Sequence, residues 1–172
     1  MPFTVAIAGI TGRFGRCLVP ELLKKPDVSI RGFARSIAKA PLPFRNSPRI
    51  QLIEGDSGDI NSLRTFVRGV DIVVCAYAGD NQFMVEGQKL LIDVCEAEAV
   101  PRYMASDYTV DYTKLEYGEL PSKDPMKTVY KYLQGRTVKG VHILNGAFMD
   151  TFFCSWFRIF NPNDNSLSYW GT

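Results

Sequence analysis

Val5-Ala6-Ile7-Ala8-Gly9-Ile10-Thr11-Gly12-Arg13-Phe14-Gly15 opens the chain's first regular segment, and Leu18, Val19, Leu22 and Leu23 follow it. A short apolar run reads as a buried strand. Three glycines then fall at the spacing G-x-x-G-x-x-G, and an amphipathic helical pattern begins at once. A helix N-terminus presents free N–H groups and the positive end of its dipole, which together suit a phosphate. Gly9 is suited to the sharp turn, Gly12 to a close approach of backbone and ligand, and Gly15 to tight packing of helix on strand. Between a first strand and a first helix, this triplet points to a dinucleotide pyrophosphate. Thr11, Arg13 and Phe14 sit in the same loop and are candidate cofactor contacts.

Outward from this loop, strand and helix patterns alternate. Strands are expected at Thr4–Ala8, Val28–Ala34, Ile50–Glu54, Asp71–Ala76, Arg102–Ala105 and Val141–Leu144. Helices are expected at 12–25, 60–67, 83–98 and 124–134. Pro20 should kink the first helix or sit on its solvent side. Residues 35–48 read mainly as loop, with a helical turn at 37–40. Asp124 and Pro125 supply an N-cap and a first-turn proline, and Gly135 ends that helix. The repeated β-α-β order predicts an α/β, Rossmann-like doubly wound parallel sheet with helices on both faces. Ligands of such sheets lie at the carboxyl ends of the strands.

Composition narrows the function classes. The chain has 172 residues and a formal charge of +2, which gives no basic surface of the kind nucleic acid requires. No run approaches the roughly 18 apolar residues of a membrane helix, so no membrane partner is expected. Four dispersed cysteines and one histidine make a metal site and disulfides poor readings, and the expected location is the cytoplasm. His142, inside the apolar run Val141–Leu144, reads as a strand residue rather than a base.

Several residues carry candidate chemistry. Arg35 ends the second strand, where an NAD-specific site would place a carboxylate on the ribose. A guanidinium there suits a 2′-phosphate, and Arg13 in the glycine loop points the same way, so NADP(H) is the expected cofactor. Asp56 could meet the adenine amino group or serve as a helix cap. Ala78 lies in the small-residue segment after the fourth strand, where the cofactor would pass. The Tyr-x-x-x-Lys pair of ordinary short-chain reductases is absent. Lys127, near a helix N-terminus that disfavours a cation, is a candidate general acid or base.

Gly9–Gly15, Gly55-Asp56, Arg102–Asp107, Asp111-Tyr112, Lys127 and Leu144–Phe148 together resemble the NmrA-like and isoflavone-reductase-like atypical short-chain dehydrogenases, fungal members in particular. The resemblance implies an NADP(H)-binding Rossmann domain at 1–147. It puts a catalytic lysine at Lys127 and sets Asn145 to Phe148 beside the nicotinamide. It implies a reductase of a small aromatic or polyketide-like molecule. The alternatives are a non-redox cyclase or isomerase on the same scaffold, and a dinucleotide-sensing regulator. Members of the family are near twice this length, so residues 148–172 are expected to be an aromatic-rich remnant of a truncated substrate side. Tyr108, Phe148, Phe152 and Trp156 are then candidate substrate contacts. The segment 152–160 is expected to bury its aromatic rings against a second copy of the chain or another apolar partner.

Overall fold

The computed structural model describes residues 3–154 and 159–168. Strand β1 (Phe3–Ala8) pairs in parallel with both β2 (Val28–Ala34) and β4 (Ile72–Cys75). Outside these lie β3 (Ile50–Glu54) on one side, and β5 (Arg102–Met104) and β6 (Lys139–Val141) on the other. The resulting six-stranded order is β3-β2-β1-β4-β5-β6, all parallel. The order reverses between β1 and β4, and the carboxyl ends of those strands form the crevice that such a sheet offers a ligand.

Alternation along the central strands builds a core on each face. Ala6 and Ala8 of β1, with Val73 and Cys75 of β4, meet the helices α3 (Ile60–Val67), α4 (Asn81–Ala97) and α5 (Asp124–Gln134). Val5, Ile7 and Val74 face the other way, onto α1 (Arg13–Leu23) and the single turn α2 (Leu42–Arg45). Burial on both faces explains why these strands read as continuous apolar runs. A last short helix, α6 (Met149–Phe152), leads to the hairpin of β7 (Phe160–Asn161) and β8 (Ser166–Leu167). Among the described residues, no helix is long and apolar enough to cross a membrane.

The expected fold is present, with local corrections. Pro20 lies inside α1 on the exposed side, where its missing N–H leaves a solvated carbonyl and no break. Residues 35–48 hold two short turns, a 3-10 turn at Ile37–Lys39 and α2. Asp80 caps α4 by accepting from the Phe83 amide, which starts that helix two residues earlier than its apolar pattern suggests. Asp124 is not an N-cap. A 3-10 turn at Pro121–Lys123 runs directly into α5, and the Asp124 carboxylate accepts from the Gly118 amide instead. The sixth strand is Lys139–Val141, not Val141–Leu144. As the edge strand it pairs only with three-residue β5, and Ile143 and Leu144 emerge 37% and 36% exposed. His142 therefore leaves the strand, which frees its ring for the contacts described below.

Candidate active site

The glycine loop takes the geometry its residue types require. Gly9 has φ +86°, and a Cβ there would come 2.7 Å from the Ala76 carbonyl oxygen. Gly15 packs α1 on the loop so closely that a Cβ would meet the Ile10 oxygen at 2.7 Å and its Cα at 2.8 Å. Gly12 is different: a Cβ would meet only the Gly9 oxygen, at 3.2 Å, and the residue lines an open cleft. No side chain caps α1, so the N–H groups of its first turn are left for a ligand.

The cleft has a volume of about 650 Å³ and lies at the carboxyl ends of β1, β4 and β5. Gly12, Arg13 and Phe14 form one wall, and Ala76–Gly79 lie at the end of β4. Ser106, Asp107 and Tyr108 follow β5, and Pro125 and Met126 come from the start of α5. Phe148, Asp150 and Thr151 close the remaining side. The Phe14 ring lies 4.1 Å from that of Tyr108 and 5.7 Å from that of Phe148. This aromatic wall would suit a flat ring.

The turn after β5 is held from several directions. The buried Gln88 side chain accepts from the Ser106 amide at 3.0 Å and from the Tyr103 hydroxyl at 3.2 Å. Ser106 Oγ donates to the Tyr77 carbonyl at 2.7 Å. Asp107 is buried, and its Oδ2 accepts from His142 Nδ1 at 2.6 Å. Tyr108 adopts φ +43°, and its hydroxyl donates to the Cys75 carbonyl at 3.0 Å. A left-handed bulky residue is costly and persists only where its surroundings fix it. Burial pushes the phenols of Tyr77 and Tyr108 up, with the Cys75 thiol adding to both, so neither gives up a proton readily.

The expected cofactor contacts Gly12, Arg13, Phe14 and Ala78 line the cleft, and so do Tyr108 and Phe148. Arg13 is paired with Asp150 across the opening, at 2.7 Å. Thr11 lends its carbonyl to Arg16 Nε, and Arg16 also reaches the Lys39 carbonyl, tying the loop to the segment after β2. Arg35 is exposed at the end of β2. Asp56 does not cap α3. Asp59 does that, and Asp56 accepts from the Gly58 amide within the turn after β3.

Gly9, Thr11, Gly15, Arg35 and Asp56 do not line the cleft, and neither do Lys127, Asn145 and Phe152. Lys127 is buried, but its ammonium donates to the Leu115 carbonyl and lies 4.6 Å from the Tyr117 ring centre. Its neighbour Met126 lines the cleft in its place, because successive helix residues face different ways. Asn145 is exposed beyond the end of β6, and Phe152 is 37% exposed on α6, one residue past the cleft residue Thr151. Trp156 lies outside the described residues. Conversely, sequence reasoning left out Tyr77, Ser106, Asp107, Met126, Asp150 and Thr151. Their position after strand ends was the available signal for the first three.

Comparison with known proteins agrees with this geometry. The profile of a family described as NAD(P)H-binding matches residues 9–140. Isoflavone reductase of Glycine max is 29% identical over 145 residues, which are 74% of this chain and 43% of that protein. The NADPH-dependent quinone oxidoreductase of Escherichia coli, solved with NADPH, superposes with a TM-score of 0.75 at 20% identity, over 90% of this chain and 53% of that one. NmrA, a negative transcriptional regulator, superposes with a TM-score of 0.69 at 16% identity, over 83% of this chain and 45% of that one. The chain thus spans 43% of the length of its curated relative.

Proposed function

The chain belongs to the NAD(P)H-binding family, and on that premise we propose that it is an isoflavone-reductase-like, NADP(H)-dependent reductase of a small aromatic or quinone-like molecule. The observation that carries this reading is the cleft itself. It joins an uncapped helix N-terminus to a wall of aromatic rings. The pyrophosphate would lie on the first turn of α1, beside Gly12 and Phe14. Arg35 would hold the 2′-phosphate, and Arg13 would exchange Asp150 for a phosphate oxygen. An ion pair as exposed as Arg13–Asp150, at 69% and 59%, holds little energy and would yield readily. The nicotinamide end would then lie toward Ser106–Tyr108 and Phe148, with an aromatic substrate against the same wall.

When bound, NADPH supplies a hydride. The chain's own part is to orient the ring, exclude water through Phe14, Tyr108 and Phe148, and supply a proton to the reduced product. Lys127 is the proposed proton source, at the place the resemblance gives the catalytic lysine. It must first exchange the Leu115 carbonyl for the cleft. Four free cysteines suit the reducing cytoplasm in which we place the chain.

NADPH oxidation followed at 340 nm with a panel of quinones and isoflavonoids tests this reading. Turnover that falls about 10²–10⁴-fold in Lys127→Ala, with NADPH affinity kept, supports it. The position of Lys127 on Leu115 favours one second reading, dinucleotide binding without turnover. Tight NADPH binding with no oxidation across the panel would select that one.

A further inference from the structure

Asp107 and His142 are absorbed by neither the hydride chemistry nor the phosphate contacts, yet they are the most deeply buried of the acid–base salt-bridge pairs among the described residues. The Asp107 side chain is 0% exposed and that of His142 is 15% exposed. Asp107 Oδ2 takes a 2.6 Å hydrogen bond from His142 Nδ1. Its second oxygen, Oδ1, is buried with no hydrogen-bond partner. His142 is the closest donor to this carboxylate, and the Tyr112 side chain also interacts with it. The Tyr112 hydroxyl lies 3.3 Å from the same Nδ1, and its phenol is pushed up by burial and then by the Asp107 charge. The Tyr130 ring packs 4.7 Å from the imidazole.

The sequence position of Asp107 gives the pair its meaning. It stands between two cleft residues, Ser106 and Tyr108. Ser106 is pinned by Gln88 and Tyr77, so the turn is fixed on its upstream side. Downstream, the Thr109 carbonyl accepts from the Gly146 amide at 3.0 Å. Between these anchors Tyr108 is held at φ +43° with its ring on Phe14 of the glycine loop. A buried carboxylate stripped of its donor must turn toward water or find another partner. A movement that carries the Asp107 backbone with it would rotate the peptide next to Tyr108 and release the left-handed conformation.

We propose that Asp107 and His142 are positioning residues: His142 anchors the Asp107 carboxylate, and the anchored turn holds Tyr108 against Phe14, where it shapes the ring-binding end of the cleft. The proposal rests on the reading that this cleft takes the dinucleotide, but Tyr108 placement is measurable without any ligand. A donor at the Nδ1 position is what matters, not an imidazole as such. Asparagine at 142 keeps an N–H donor near that place, whereas alanine removes it.

The experiment compares wild type, His142→Ala and His142→Asn by two measurements. The first is the NMR ring resonances of Tyr108, assigned by their loss in Tyr108→Phe. In wild type they should carry the ring-current shift of the adjacent Phe14. His142→Ala should lose that shift and His142→Asn should retain it. The second is NADP+ affinity by calorimetry, expected to fall about tenfold or more in His142→Ala and to stay near wild type in His142→Asn. Should His142→Ala fail to fold, the double variant Asp107→Asn, His142→Ala removes the buried charge and should still lose the Tyr108 shift. Unchanged Tyr108 resonances in the alanine variant would overturn the proposal. So would an asparagine variant that behaves like the alanine one, since packing and not the donor would then be responsible. Failure of wild type to bind NADP+ would refute the dinucleotide reading, while the resonances would still decide the positioning claim.

Discussion

Substituting alanine at Gly15 and at Gly12 should separate the two duties of the glycine loop. A Cβ at Gly15 would lie 2.7 Å from Ile10 O, 2.8 Å from Ile10 Cα and 2.9 Å from Gly9 O. All three atoms are backbone, in the segment that joins β1 to α1, and no side chain can swing aside. Overpacking of this kind costs about 1–3 kcal/mol, and a clash with backbone alone belongs at the upper end. At about 2–4 °C per kcal/mol for a chain of this size, Gly15→Ala should lower the melting temperature by about 6–12 °C. A Cβ at Gly12 would meet one atom, at 3.2 Å, on the cleft side. Gly12→Ala should melt within about 2 °C of wild type, from a cost under about 0.5 kcal/mol. It should nevertheless weaken NADP+ by tenfold or more, about 1.4 kcal/mol, because the methyl group stands where backbone must meet pyrophosphate. Differential scanning calorimetry and NADP+ titration of both variants make the comparison. Equal melting temperatures for the two variants would refute the packing argument. Undiminished NADP+ binding by Gly12→Ala would refute the placement of the pyrophosphate.

Two further outcomes follow from the same geometry. Cys17 is exposed and lines the cleft, whereas Cys75 and Cys95 are buried and burial pushes both thiols up, Cys75 to about 12. An alkylating reagent at neutral pH should therefore modify Cys17 in the native protein and spare Cys75 and Cys95, and NADP+ should slow the Cys17 reaction; mass spectrometry after digestion reads both effects. Met149 and Phe153 are 75% and 49% exposed one helical turn apart, so we propose that this segment associates with a second copy of the chain. Light scattering should give a dimer or larger species that Phe153→Ser shifts toward monomer, and a wild-type monomer at high concentration would dismiss the idea.

Much of the fold could be read from the chain because local and global signals agree. Val5–Ala8 and Ile72–Cys75 are apolar on both faces since both faces are covered, and Gly9 and Gly15 take the turn and the close packing their spacing implies. The edges were less legible. Val141–Leu144 has the composition of a buried strand, but its pairing partner β5 is only three residues long, and no local pattern announces that. The helix at 124–134 is legible but its cap is not: Asp124 and Pro125 carry cap chemistry, while the preceding 3-10 turn makes the cap unnecessary. At the site, residues fixed by the backbone were predictable, and those fixed by long-range partners were not. The Asp107–His142 bond spans 35 positions and the Arg13–Asp150 pair spans 137. Lys127 is a case of direction: it follows the cleft residue Met126 on the helix, but Leu115 and Tyr117, in an irregular loop, decide where the ammonium goes.

The most direct test of the central claim is a calorimetric titration of the wild-type chain and Arg35→Ala with NADPH and with NADH. A charge-assisted phosphate contact is worth about 1.5–3 kcal/mol, so wild type should prefer NADPH by roughly 10- to 150-fold. Arg35→Ala should lose most of that preference and leave NADH binding unchanged. Equal affinity of wild type for the two cofactors, or binding of neither, would contradict the account.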